Sequence, residues 1–312
     1  MNVILLFPGQ GSQKPGMGKD IADAFPASQA VFDEADQDLG FGLSTLCFDG
    51  PESELMSTQN AQPALLAHGA AAWAAVREKV APHVSAAAGH SLGEFTAYHA
   101  AGTFSLSDAL RVVRRRGELM YQSGVERPGA MAAILGLDEK HVEEACRQAS
   151  ESTGVVVPAN YNTPEQLVIS GELAAVERAM TLAREAGARR AIRLKVSGAF
   201  HSPLMDVARG GLAHALEKTA AAEPAFPVYS NVCAEAVSDA TTACDLLIRQ
   251  LTAPVRWTEL VRNMVRDFPD PLFLELGPGS VLANLVHRIV PGAEVLGCGT
   301  VDEVEHVLQR LG

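Results

Sequence analysis

Five apolar residues, VILLF at 3–7, are followed at Pro8 by the turn FPGQGSQ. A run this short, cut off by proline and glycine, reads as a buried strand. Helical spacing then dominates through residue 80, with Ser57 or Thr58 capping a helix over 61–77. Residues 84–88 are small and apolar and form a second short strand. The turn GHSLGE leads from it into a helix ending near Ala101, and Ser105-Leu-Ser-Asp starts a further helix ending near Gln122.

The periodicity changes at SGVERPG, 123–129, which reads as a linker by composition. Beyond it come a strand (AMAAILGL), a helix over about 138–150 and a strand (VVVPAN). A turn (YNTPE), a strand (QLVISG), a helix over 172–186 and a strand (RRAIRLKV) complete the segment. This β-α-β-β-α-β order is ferredoxin-like and predicts a small subdomain over 125–196, inserted into a larger α/β domain made of 1–124 and 197–312. The larger part resumes with a helix from 203 to about 221 and a strand at PVYSNV. Helices at 242–251 and 256–267, a strand at PLFLEL and a helix opened by GPG follow.

At 312 residues, 47% hydrophobic and 20% charged, the chain can bury a core large enough to keep water from a site. Its net charge of −12 argues against nucleic acid as a partner. MNVILLFPGQ has no basic leader, and the alanine-rich stretch at 61–76 is too short and too polar to span a membrane. Five cysteines, odd in number and without CxxC spacing, point to a reducing cytoplasm rather than to a disulfide framework. Nine histidines without HxxxH or HxxEH spacing give no metal-hydrolase signature.

Gly89-His90-Ser91-Leu92-Gly93 matches G-x-S-x-G between a strand and a helix. That context lifts the serine hydroxyl clear of the turn and sets it at a helix N-terminus, where developing negative charge is favoured. Ser91 is therefore either a nucleophile or one more serine in a tight bend. The adjacent His90 should point away from it, whereas His201, in GAFHSPLM where the insert rejoins the large domain, could serve as its base. The competing reading of His201 is a satisfied histidine at a helix start, with Ser202-Pro203 as cap and first residue. Arg116 falls beside the apolar stripe of Leu106, Ala109, Leu110, Val113 and Met120, while Arg111, Arg114 and Arg115 turn toward solvent. A buried guanidinium needs an anion, either a core acid or the carboxylate of a substrate. None of the glycine-rich turns has the spacing of a Walker or dinucleotide-binding loop.

FPGQGSQ, AQPAL at 61–65, GHSLGE, Arg116-Gly117, GAFHSPLM, Arg249-Gln250-Leu251 and GPG at 277–279 occur in one order over essentially the whole chain. In this the sequence resembles the malonyl-CoA:acyl-carrier-protein transacylase family. The resemblance implies an α/β-hydrolase-like large domain with a short parallel sheet, together with the inserted subdomain. It makes Ser91 the nucleophile and His201 its base, oriented by the backbone carbonyl of Gln250 in place of a triad aspartate. It gives the oxyanion to the N–H groups of Gln10 and Leu92, and the malonyl carboxylate to Arg116 with Gln62 nearby. Asn160 and Asn162, in the ANYN turn, match polar residues facing the cleft, and Phe200 matches a position that sorts malonyl from methylmalonyl. Malonyl-CoA and an acyl carrier protein are the implied partners, with no metal or redox cofactor and no membrane. Service to fatty-acid synthesis, to a polyketide synthase or to malonate decarboxylation remains open, as does a serine hydrolase or a non-catalytic binding module.

Overall fold

The structure, a computed structural model, describes residues 1–311, so Gly312 at the end of the expected large domain lies outside it. Ten strands follow one another: β1 (Val3–Phe7), β2 (Val84–Gly89), β3 (Gly129–Leu135), β4 (Val156–Thr163), β5 (Gln166–Glu172), β6 (Arg190–Arg193), β7 (Val228–Tyr229), β8 (Ala236–Val237), β9 (Leu272–Glu275) and β10 (Glu294–Gly297). They form two sheets. The larger runs β10-β9-β1-β2-β7-β8, parallel except for the β7–β8 pair at its edge.

β1 sits near the middle of this sheet with all five residues buried. Because side chains alternate along a strand, Val3, Leu5 and Phe7 enter one apolar cluster and Ile4 and Leu6 the other. The first cluster is built around the helix Thr58–Val80, which buries alanines on every face. The second lies under Trp257, Leu260 and Leu285 from the helices Trp257–Asp267 and Val281–Ile289. Cover on both faces is what a parallel sheet of unbroken apolar strands requires.

The second sheet is antiparallel in the order β4-β5-β3-β6. Ala130, Ala132 and Ile134 of β3 pack under the helices Glu139–Thr153 and Leu173–Glu185, in a small core of their own. Met131, on the opposite face, joins the main cluster together with Val168 of β5. One face of the small sheet is thus sealed by its own helices, and the other looks onto the large domain.

Several boundaries differ from those expected. The helix that begins at Leu106 runs on to Glu126, through most of the segment read as a linker. Gly124 is inside it because a Cβ there would lie 2.0 Å from the carbonyl oxygen of Ser197, and buried Ser123 donates to the Leu204 carbonyl at 3.1 Å. These glycine and serine residues mark a close crossing, not a flexible stretch, and the chain enters and leaves the small sheet side by side. Asn160 and Asn162 lie in β4, not in a turn, because the strand continues to Thr163 and the reversal needs only Pro164 and Glu165. The helix expected from 203 is a short 3-10 turn, Pro203–Met205, followed by Asp206–Leu216.

Candidate active site

Ser91 stands at the carboxyl end of β2, between that strand and the helix Gly93–Ala100, at φ 54°. The left-handed region is costly for a residue with a Cβ, so the surroundings must impose it. Both flanking glycines are sterically required. A Cβ on Gly89 would lie 1.9 Å from the carbonyl carbon of Gly93, and one on Gly93 would lie 1.9 Å from the Phe7 carbonyl oxygen. Asn231, just past β7, fastens the turn. Its Oδ1 accepts from Ser91 N at 2.7 Å, and its Nδ2 donates to the Gly89 carbonyl at 2.7 Å.

His201 is 3% exposed, also left-handed at φ 56°, with Nε2 2.7 Å from Ser91 Oγ. Its Nδ1 faces two carbonyl oxygens, Gln250 at 2.9 Å and Ala253 at 3.2 Å. Carbonyls only accept, so Nδ1 carries the proton and Nε2 is left as the acceptor of the serine hydroxyl. Burial, reinforced by the nearby Arg116 charge, pushes His201 down to about 3, which keeps it a neutral base throughout neutral pH. Ser202 accepts from Leu204 N at 3.3 Å and Pro203 opens the 3-10 turn, so the capping pair directly follows His201.

Arg116 is 1% exposed, and no ion pair holds it among the described residues. Its Nη1 donates to Gln62 Oε1 at 2.8 Å, and its Nη2 donates to Gln250 Oε1 at 2.8 Å and to Ser91 Oγ at 3.1 Å. Nε has no partner. A core acid in direct contact, one of the two readings of this residue, is absent. Gln62 is buried at 1%, its Nε2 on the Met120 sulfur at 3.3 Å. Gln250 therefore acts twice, its backbone carbonyl on His201 and its side chain on the guanidinium.

Ser91, His201 and Arg116 line a cavity of about 270 Å³ between the two sheets, which Gln10, Leu92, Phe200, Asn160 and Asn162 also reach, whereas Gln62 and Gln250 hold Arg116 without bordering the cavity. Neither Gln10 N nor Leu92 N bonds another backbone or side-chain group of the described residues, and both adjoin the serine turn. Asn162 Oδ1 accepts from His90 Nε2 at 2.8 Å, and Asn160 Nδ2 lies 3.5 Å from the same nitrogen. His90 does not contact Ser91 Oγ, but it is part of the cavity wall, tilted against Trp257 at 5.5 Å. Two residues of the site, Asn231 and Glu94, carried no assigned role in the sequence, and His90, expected only as a structural residue turned away from Ser91, lines the cavity. A polar residue just past a strand that neighbours the serine strand was the available signal for Asn231. Glu94 was visible only as the last letter of GHSLGE. Among the described residues no cluster of three or more metal-ligating side chains occurs, and no helix is long and apolar enough to cross a membrane.

A glycine-flanked serine, bonded to a carbonyl-oriented histidine at the carboxyl end of a parallel strand, is an arrangement for acyl transfer. The model of the acyl transferase domain family matches residues 4–301. The chain is 41% identical to the malonyl CoA-acyl carrier protein transacylase of Bacillus subtilis over 310 residues, 99% of this chain and 97% of that one. The crystal structure of the acyl-carrier-protein S-malonyltransferase from Bartonella henselae superposes with a TM-score of 0.95, at 42% identity and full coverage of both chains. A malonyl-transacylase in complex with a type II polyketide-synthase acyl-carrier protein superposes with a TM-score of 0.95, at 41% identity, over 99% of this chain and 100% of that one. The chain belongs to the malonyl CoA-acyl carrier protein transacylase family, and it is an acyltransferase.

Proposed function

We propose that this enzyme moves a malonyl group from malonyl-CoA to the phosphopantetheine thiol of an acyl carrier protein through a malonyl ester on Ser91, supplying fatty-acid or polyketide synthesis. The observation that carries the reading is the buried guanidinium of Arg116, 3.1 Å from the serine hydroxyl, with an unpartnered Nε and no protein carboxylate in contact. An acyl group on Ser91 that ends in a second carboxylate would reach it.

The steps follow from the groups present. His201 Nε2 takes the Ser91 proton as Oγ attacks the thioester carbonyl. The N–H groups of Gln10 and Leu92 hold the resulting oxyanion, each contributing about 3 kcal/mol in the transition state. The C–S bond breaks, and the proton on His201 goes to the leaving thiolate. The carrier thiol then attacks the ester, with His201 as base again, and Ser91 is restored. Every proton and bond change is handled by side chains and backbone of the chain, so the reaction needs no metal or redox cofactor. Asn160, Asn162 and His90 form the wall of the acyl cleft facing this chemistry, and Phe200 shapes it next to the base. The five cysteines are all unpaired, which supports a cytoplasmic setting.

A second cavity, of about 720 Å³, borders Arg288, whose Nη1 donates to Gln166 Oε1 of the first cavity at 3.1 Å. Arg189, Arg190, His287 and Arg288 line it with Glu165, which pairs with Arg189 at 2.9 Å, and the remaining positive charge is suited to the phosphates of the acyl donor. The test is the fate of the malonyl group when malonyl-CoA, enzyme and carrier protein are mixed. Transfer to the carrier thiol far faster than release to water supports the reading, and release to water with no carrier product makes the protein a hydrolase.

A further inference from the structure

Glu94 lies one helical turn past Ser91 and is fully buried. Its Oε2 accepts from Gln250 Nε2 at 2.7 Å and from Asn231 N at 3.1 Å, while its Oε1 has no partner. The Gln250 amide can be oriented in only one way. Arg116 can only donate, so it requires Oε1, and Glu94 and the Ser91 carbonyl, 3.0 Å away, can only accept, so they require Nε2. The result is a directed chain from the Arg116 guanidinium through one carboxamide to the Glu94 carboxylate. Each is an opposite charge acting on the other, the Arg116 charge favouring ionised Glu94 and the Glu94 charge favouring protonated Arg116.

We propose that Glu94 is the resident counter-charge of Arg116, read through the Gln250 carboxamide, and that a substrate carboxylate on Arg116 displaces it from that role, Glu94 then taking a proton from solvent. The inference rests on the reading of Arg116 as the clamp for the malonyl carboxylate. Its physical basis is charge balance in a dry site. Glu94 and Arg116 sum to zero, and adding malonate would leave one uncompensated buried negative charge. Protonating the carboxyl that already lacks one hydrogen-bond partner removes it. The other titratable groups reaching the pair are Tyr98 on the same helix, itself near Cys233, Cys244 and Asp239, and His201 beside Arg116, itself near His90. Tyr98 is pushed up by burial and His201 down to about 3, so neither exchanges a proton near neutrality in the empty site. Burial raises Glu94 to about 7, so it is largely ionised at pH 8 and largely protonated at pH 6.

Acylation itself conserves protons, because the serine proton leaves on the coenzyme A thiol. Proton exchange can therefore be measured as the enzyme is acylated in two buffers of different ionisation heat, once with malonyl-CoA and once with acetyl-CoA. The acetyl arm subtracts any ionisation of the released thiol and needs no variant. At pH 8 the malonyl arm should exceed the acetyl arm by about one proton taken up per acyl-enzyme, and the excess should shrink at pH 6. Selectivity, the ratio of kcat/KM for malonyl-CoA to that for acetyl-CoA, should fall toward tenfold per pH unit above about 7. Glu94→Gln, which keeps the acceptor for Gln250 and Asn231, should abolish both the excess uptake and this fall. Equal uptake in the two arms overturns the proposal, as does uptake that persists in Glu94→Gln, which would place the proton on His201 or His90. Failure to form a malonyl adduct at all would instead overturn the assignment of the enzyme's activity.

Discussion

Arg116 donates to three uncharged acceptors, Gln62, Gln250 and Ser91, and this leaves the charge itself to be met from outside the contact shell. Replacing it should therefore penalise a dicarboxylic acyl group far more than a plain one. Arg116→Ala is expected to lower kcat/KM for malonyl-CoA relative to acetyl-CoA by roughly ten- to a hundredfold, the worth of a charged hydrogen bond of about 1.5–3 kcal/mol. Equal losses for the two thioesters would make Arg116 a structural residue. Phe200 is 6% exposed and borders the same cavity beside the base, where a ring leaves little room for an α-methyl group. Phe200→Ser should shift the ratio of kcat/KM toward methylmalonyl-CoA, by an amount limited to about 1–3 kcal/mol because only packing is involved. A ratio that stays fixed would mean that the ring packs on protein and not on substrate. Arg116 was legible in the sequence because helix periodicity put an arginine on an apolar stripe. Asn231 and Glu94 were not, because their function lies in contacts 140 and 156 residues away along the chain, with Ser91 and Gln250 respectively.

The strand–turn–helix unit of β2, Ser91 and the Gly93–Ala100 helix works only because three backbones approach one another without side chains. Gly93→Ala would drive a methyl group into the Phe7 carbonyl at the end of β1. It should destabilise the fold by about 3 kcal/mol, seen as a lower urea midpoint, along with loss of acylation. An unchanged midpoint would show that the elbow can relax at little cost. This unit could be read from the sequence because its glycines, its apolar strand and its helix sit within a few residues of one another. The β-α-β-β-α-β order was legible for the same reason. Elements defined by distant partners were harder to see. β7 and β8 are two residues each and exist through pairing with β2 and with each other, and the segment read as a linker is helical because Gly124 meets Ser197. β10 and the helix Val301–Leu311 went unread, since the short run Glu294–Gly297 is a strand only beside β9.

Acid should weaken the whole molecule through its buried histidines. Burial lowers His68 to about 4 and His201 to about 3, and also lowers His90 and His99 from their ordinary value of 6.5. Groups whose folded pKa is depressed favour the unfolded chain once it can bind the proton that the folded state refuses. Glu94 and Glu275, both raised to about 7 by burial, act in the opposite sense between 4.5 and 7. The carboxyl gain is complete near 4.5, whereas the histidine loss continues to about 4 for His68 and about 3 for His201, so stability falls as pH drops below about 4.5. The thermal midpoint should accordingly be lower at about pH 3.5 than at about pH 4.5, and a midpoint that rises over that interval would contradict neutral histidines in the core. The most direct observation of the chemistry is the intact mass of the protein after mixing with malonyl-CoA, and again after adding a carrier protein bearing its phosphopantetheine thiol. The expected result is one malonyl adduct on the wild-type enzyme that moves to the carrier, and none on a folded Ser91→Ala variant. A malonyl adduct that survives in Ser91→Ala, or one that the carrier cannot remove, would contradict double displacement through this serine.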